Sequence, residues 1–204
     1  SGLTAPFADD SPVSTTYASS GTNSLYFLGV GAGGPADIVL PFGTNNPYTS
    51  GDFEFDANFY VTGGAYFNFQ AETIPGQTWS MDVVMSPTGT IDFTNGGGVV
   101  NFLSCNYNIN TWFNLAVKVD LTNNLWEVYV DNVLQGSFSN TINQIASLDL
   151  YPLGPTSTSN PSGIAHEFWI DDVCYSYEPP VLQPLNGQML LINPIEGLIN
   201  EIAK

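Results

Sequence analysis

The sequence predicts an all-β protein, a two-sheet antiparallel jelly-roll sandwich followed by a short C-terminal tail. Three observations carry that expectation. Apolar side chains recur with a period of two in about a dozen short segments, the spacing of half-buried strands, and only the last dozen or so residues could carry a helical stripe. The segments are rich in Val, Phe and Tyr and are separated by turn chemistry instead of long connections. Charged residues make up 10% of the chain against 43% hydrophobic, so Ser, Thr, Asn, Gly and backbone must cover the surface, as in extracellular β-proteins.

Taken in order, the predicted strands begin with Ser24–Leu28 and Asp37–Pro41, and the turn residues Gly43-Thr44-Asn45-Asn46-Pro47 follow. Asp52–Val61 and Ala65–Ala71 come next, read as two strands because Gly63-Gly64 lies between them. Thr78–Met85, Thr90–Phe93 and Val99–Ser104 are divided by Pro87-Thr88-Gly89 and by Asn95-Gly96-Gly97-Gly98. In Trp112–Asp120, Phe113, Leu115, Val117 and Val119 alternate with Asn114, Ala116 and Lys118, which gives one buried and one open face. Leu125–Val130 and Val133–Phe138 flank Asp131-Asn132, a two-residue turn whose side chains tolerate positive φ. Ser147–Tyr151 and His166–Tyr175 complete the set. That many strands fit a jelly roll better than a seven-strand immunoglobulin sandwich.

A chain of 204 residues suffices for one substantial core, and the expected division is a single domain over 1–178 with a Pro-containing tail over 179–204. In that tail an apolar run at Met189–Ile192 and a short helix from Ile195 to Ala203 are expected to pair with something else. No leader-like, membrane-spanning or polybasic segment is visible, so the expectation is a mature chain with Ser1 after a cleavage point, secreted or on the cell surface.

Nineteen acidic side chains stand against Lys118 and Lys204 with no arginine, for a formal net charge of −17. Nucleic acid is excluded, because neutralising phosphates needs cations that this chain lacks, and anionic lipid is disfavoured for the same reason. Neutral polymers such as glycans, cations and other proteins remain as partners. Cys105 and Cys174 are too far apart for a metal knuckle and are either disulfide-bonded or two buried free thiols.

Trp112-Phe113-Asn114-Leu115-Ala116-Val117-Lys118-Val119-Asp120, followed by Leu125 to Leu134 with its Tyr129-Val130-Asp131-Asn132 turn, resembles the laminin G-like part of the concanavalin A-like lectin/glucanase superfamily. Asn132 departs from the Gly usual there. Phe168-Trp169-Ile170-Asp171-Asp172-Val173-Cys174-Tyr175 is similar to the closing strand of jelly-roll carbohydrate-binding and MAM-like modules, and the Ala18–Leu25 segment with Asp37–Pro41 resembles the opening strands of secreted bacterial modules. The resemblance covers most of residues 9–178 and implies the fold; this fold hosts enzymes, lectins and spacers alike. The tail has no counterpart in it, although Asn193-Pro194 sits where C-terminal sorting segments of the type IX secretion route carry a similar pair.

Glycoside hydrolysis needs two carboxylates across the scissile bond. Glu54-Phe55-Asp56-Ala57-Asn58 is similar to the laminarinase strand pattern but carries Asn58 and Phe59 where the acid/base glutamate belongs, so catalysis is not expected. The lone His166 reads as a hydrogen-bonded surface residue. Calcium is the expected cofactor: Asp9 and Asp10 near the start and Asp171 and Asp172 in the last strand could meet if first and last strands are neighbours, and the resemblance implies a structural Ca²⁺ at this place. By strand alternation only one of Asp171 and Asp172 would face it. Tyr60, Tyr66, Phe67, Asn68, Gln70 and Trp79 fall on central strands, and whichever parity faces outward supplies rings to stack on sugars and amides to bond hydroxyls, or the rings fill the core. Trp112 and Trp126 are expected in the core. The function expected is a noncatalytic carbohydrate-binding or adhesion module with Tyr60, Tyr66, Asn68, Gln70 and Trp79 as ligand residues. The alternatives are a structural subunit of an extracellular assembly joined through residues 181–204 and, third, a glucanase-type hydrolase.

Overall fold

Period-two burial governs the structure. The computed structural model describes residues 11–34, 36–42, 46–73, 76–95 and 100–180, which form twelve strands and no helix. They are β1 (Val13–Ser14), β2 (Ser24–Leu28), β3 (Ile38–Pro41), β4 (Asp52–Gln70), β5 (Trp79–Met85), β6 (Thr90–Thr94), β7 (Asn101–Asn106), β8 (Phe113–Asp120), β9 (Leu125–Val130), β10 (Val133–Phe138), β11 (Ser147–Leu150) and β12 (Glu167–Glu178). No described helix is long and apolar enough to cross a membrane.

All pairings are antiparallel. The first sheet runs β1-β2-β12-β4-β8-β9-β10 and the second runs β3-β11-β4-β5-β6-β7. Strand β4 belongs to both. Its first half pairs with β12 and β8 and its second half with β11 and β5. This corrects the expectation of two separate strands. Gly63-Gly64 does not turn the chain; it bends one continuous strand from one sheet into the other. Gly64 has φ +108°, and a Cβ at Gly63 would lie 2.3 Å from the Ala165 carbonyl oxygen, so no side chain fits at the corner.

The bend folds β4 back over itself, and its odd-numbered residues face inward in both halves. Phe53, Phe55 and Phe59 of the first half and Phe67 and Phe69 of the second are fully or almost fully buried. Phe59 stacks on Phe67 at 5.4 Å, and Phe55 meets Phe69 edge-on at 5.4 Å, so the rings of one strand close the gap between two sheets. Phe27 and Phe168 stack at 4.7 Å, and Trp126 is fully buried with its indole N–H donating to Asn143 Oδ1 at 3.0 Å. The β9–β10 turn has φ 50° at Asp131 and 63° at Asn132, as that dipeptide predicts.

Cys105 and Cys174 are both free, the first buried and the second exposed, so neither a disulfide nor a pair of buried thiols forms. The expected structure of the 181–204 tail lies outside the described residues.

Candidate functional site

With the odd residues of β4 committed to the core, its even residues face outward, and the bend sends them to opposite faces of the molecule. Tyr60 lies on the outer face of the first sheet, whereas Tyr66, Asn68 and Gln70 lie on the outer face of the second. The five expected ligand residues therefore do not share one surface.

On the second sheet the register places Asp149 opposite Asn68, Asn68 opposite Asp82 and Asp82 opposite Thr94, a polar row across four strands. The Tyr66 hydroxyl donates to Asp82 Oδ1 at 2.7 Å, and Asn68 Nδ2 reaches both the Tyr66 oxygen and Asp149 Oδ2 at 3.2 Å. Gln70 Nε2 donates to Asn68 Oδ1, while its own Oε1 accepts from Gly76 N at 3.1 Å. Asn68 and Gln70 are 2% and 0% exposed, so these two amides brace the row and are not its contact surface. Burial, then the Asp82 carboxylate, hold the Tyr66 phenol far above its ordinary range.

A groove of about 460 Å³ opens over this row, lined by Tyr66, Trp79, Asp82, Val84, Thr94, Thr158 and Ser159. Trp79 and Asp82, three apart in sequence, share a face because a register shift separates Gln70–Trp79 from Phe69–Met81 and leaves Ser80 as an extra residue. Strict alternation would have put them on opposite faces, and for that reason Asp82 escapes a reading of the sequence. The rim residues Thr158 and Ser159 sit on a loop pinned by buried Asn160, whose amide donates to the Gly154 and Ile164 carbonyls at 3.1 and 2.7 Å.

At the far end of the row Asp149 is pushed up to about 7, by burial first and then by the adjoining Asp37 carboxyl. Its Oδ1 is buried and receives no hydrogen bond from a neutral donor.

On the outer face of the first sheet, Tyr60 stacks on Tyr17 at 4.1 Å and lies 5.7 Å from Trp112, which is half-buried and thus not a core residue as expected. Glu54, Asp56 and Asn58 are on this face too. Lys118 Nζ pairs with Glu54 at 2.7 Å in a half-exposed bridge that contributes little.

The last-strand acids differ from expectation. A register shift between Asp171 and Cys174, with φ 52° at Asp172, breaks the alternation and turns both carboxylates toward residues 19 and 20. Asp171 Oδ2 accepts from Ser19 N and Ser20 N at 2.8 and 3.0 Å, and its Oδ1 accepts from Asp172 N at 2.9 Å. Asp172 Oδ1 accepts from Ser20 Oγ, and Oδ2 from Asn58 Nδ2 at 2.9 Å. Each oxygen of the pair accepts at least one hydrogen bond, an arrangement that neither requires nor bars a cation. Asp9 and Asp10 lie outside the described residues, and among those described no three His, Cys, Asp or Glu side chains gather as metal ligands. If Asp171 and Asp172 hold calcium together with Asp9 and Asp10, millimolar calcium is expected to raise the melting temperature by several degrees and a chelator to reverse the rise. A melting temperature unchanged by both would remove the structural ion.

His166 is 2% exposed instead of lying at the surface, and its Nδ1 accepts from Leu153 N at 3.3 Å. Burial lowers it to about 4, so it is a neutral structural group.

No protein-family model matches the chain, and no curated protein matches its sequence. Solved structures do resemble it. A cellulose-induced protein, Cip1, aligns with TM-score 0.59 and 13% identity over 88% of this chain and 92% of its own. The alginate lyase from Corynebacterium sp. aligns with TM-score 0.56 and 13% identity over 76% and 77%. A sialidase aligns with TM-score 0.55 and 15% identity over 82% of this chain, which spans only 16% of the sialidase. At these identities the likeness defines the fold alone, an antiparallel jelly-roll sandwich. Proteins of that fold include polysaccharide lyases as well as binding domains, such as that of botulinum neurotoxin serotype G.

Proposed function

We propose that residues 1–178 form a noncatalytic glycan-binding module of a secreted or cell-surface protein, with residues 179–204 as its tail, and that the groove on the second sheet is the binding site. The observation that carries this reading is the groove's make-up. One indole and one phenol border a floor of hydroxyls and carboxylate oxygen, and the buried Asn68–Gln70 amides hold that floor rigid. Rings of this kind stack on sugar faces, and fixed acceptors bond sugar hydroxyls.

The ligand is a neutral glycan. Asp82 lines the groove, Lys118 lies on the opposite sheet, and the chain has no arginine to meet a polyuronate such as alginate. Binding without bond cleavage is favoured because, among the described residues, Asp82 is the single carboxyl in the lining, whereas hydrolysis takes two. Asp149 is not part of the groove lining, and His166 is buried. The alternative, a structural subunit joined through residues 181–204, falls on residues outside those described.

Isothermal titration against soluble glucan, mannan and xylan fragments tests the reading. One of them should bind, Trp79→Ala should weaken it about tenfold or more, equal to about 1.4 kcal/mol, and Trp112→Ala on the other sheet should leave it unchanged. Absence of binding across the panel, or wild-type affinity in folded Trp79→Ala, would remove the groove from consideration.

A further inference from the structure

We propose that Asp37 and Asp149 form a proton-binding clasp that fastens edge strand β3 to the groove-bearing sheet and lets it go when the proton leaves. The inference stands apart from the glycan reading, since it concerns the unliganded sheet.

Strand β3 is four residues long and, among the described residues, is paired on one side only, with β11. Val39 is opposite Asp149 in that register, so Asp37, two residues earlier on the same face and just before the strand begins, is the diagonal neighbour of Asp149. That placement sets the two carboxyls side by side at the edge of the sheet. Asp149 Oδ2 is already taken by Asn68 Nδ2 at 3.2 Å, which leaves the buried Oδ1 without a neutral donor. A proton on Oδ1 resolves both problems, because the acid donates an O–H to the exposed Asp37 carboxylate and no longer opposes it.

Once the proton passes to solvent, two negative charges face each other and Oδ1 is buried with nothing to bond. Asn68 cannot answer it, being shared with Tyr66. Among the described residues, the other titratable groups on this face include Tyr151, just past β11 and next to Asp37 in the register, Tyr66 of β4, Asp82 of β5 and Asp92 of β6, and none is cationic. Relief therefore comes from the weakest neighbour: the start of β3 detaches and admits water to Asp149. The burial that lifts Asp149 to about 7 puts this release near neutrality.

Amide hydrogen exchange on the full chain, corrected for the intrinsic pH dependence of exchange, reads the clasp. In the peptide covering residues 36–42, protection should fall about tenfold between about pH 6 and pH 8, while the β8–β9 hairpin over 113–130 keeps its protection. Asp149→Asn supplies a permanent amide donor to Asp37 and should keep the peptide protected at both pH values. Asp37→Ala should leave it poorly protected at both. Unchanged wild-type protection, the same loss in Asp149→Asn, or an equal loss in the hairpin would each overturn the proposal.

Discussion

Gly64→Ala is expected to destabilise the protein by about 3 kcal/mol or more, a fall in melting temperature of roughly 6–12 °C. Two costs combine at this residue. At φ +108° an L side chain is strained whatever the space, and the new Cβ would sit 2.8 Å from the Met85 carbonyl oxygen and 3.0 Å from the His166 ring. The backbone cannot relax without disturbing β4 in both sheets at once. Gly21→Ala separates the two terms, because Gly21 has φ +58° and a Cβ placed there would meet no atom within 4 Å, so only the conformational cost of about 1 kcal/mol remains. Thermal melts of the two variants, read side by side, check the claim. A Gly64→Ala protein melting within a degree or two of wild type would mean that the corner is not fixed as described.

The second large effect concerns pH. His166 is lowered to about 4 when folded and returns to about 6.5 when unfolded. Between those values the unfolded chain binds a proton that the folded chain refuses, so this group takes stability away as pH falls. Asp149 works in the other direction. Raised to about 7 when folded against 3.8 when unfolded, it holds a proton that the unfolded chain releases, and it takes stability away as pH rises through the same window. The two protons cancel over about pH 4.5–6.5, so neither group gives the wild type a slope there. Asp149→Asn keeps the shape of the protonated acid and cancels nothing. It should reveal a gain of about 1.4 kcal/mol per pH unit as pH rises from about 4.5 to 6.5, readable by urea unfolding at several pH values. His166→Gln should reveal the opposite slope. A flat profile in Asp149→Asn would show that His166 titrates normally in the folded protein.

Strands whose alternation is unbroken are legible from sequence. The β2, β9 and β10 boundaries agree with those expected, and most others differ by one or two residues. The misses share a physical origin. A bend at Gly63-Gly64 that preserves pairing looks in sequence like a turn, since both use glycine for its freedom at φ. The extra residue at Ser80 and the irregularity after Asp171 each shift parity, and parity is the only information that a sequence holds about which face a side chain joins. That is why Tyr66, Asn68 and Trp79 are readable as outward residues while Asp82 and the joint role of Asp171 and Asp172 are not. The split of Tyr60 from Tyr66 follows from the bend and is hidden with it. Asp149 and Asp37 come together through a long-range register, which local pattern does not encode. The short β1, of two residues, offers too few positions for any period to show.

Strand β4 also sets how this chain can reach its fold. Its neighbours β8, β11, β12 and β5 arrive from downstream, three of them from far along the chain, and the same strand must receive partners for both sheets, so neither sheet exists as a separable half. Assembly is consequently all-or-none and governed by distant contacts, which places the chain among slow, millisecond-to-second folders. A nick at Asp131-Asn132 interrupts one hairpin connection, whereas a nick at the 63–64 corner severs the single strand that both sheets have in common.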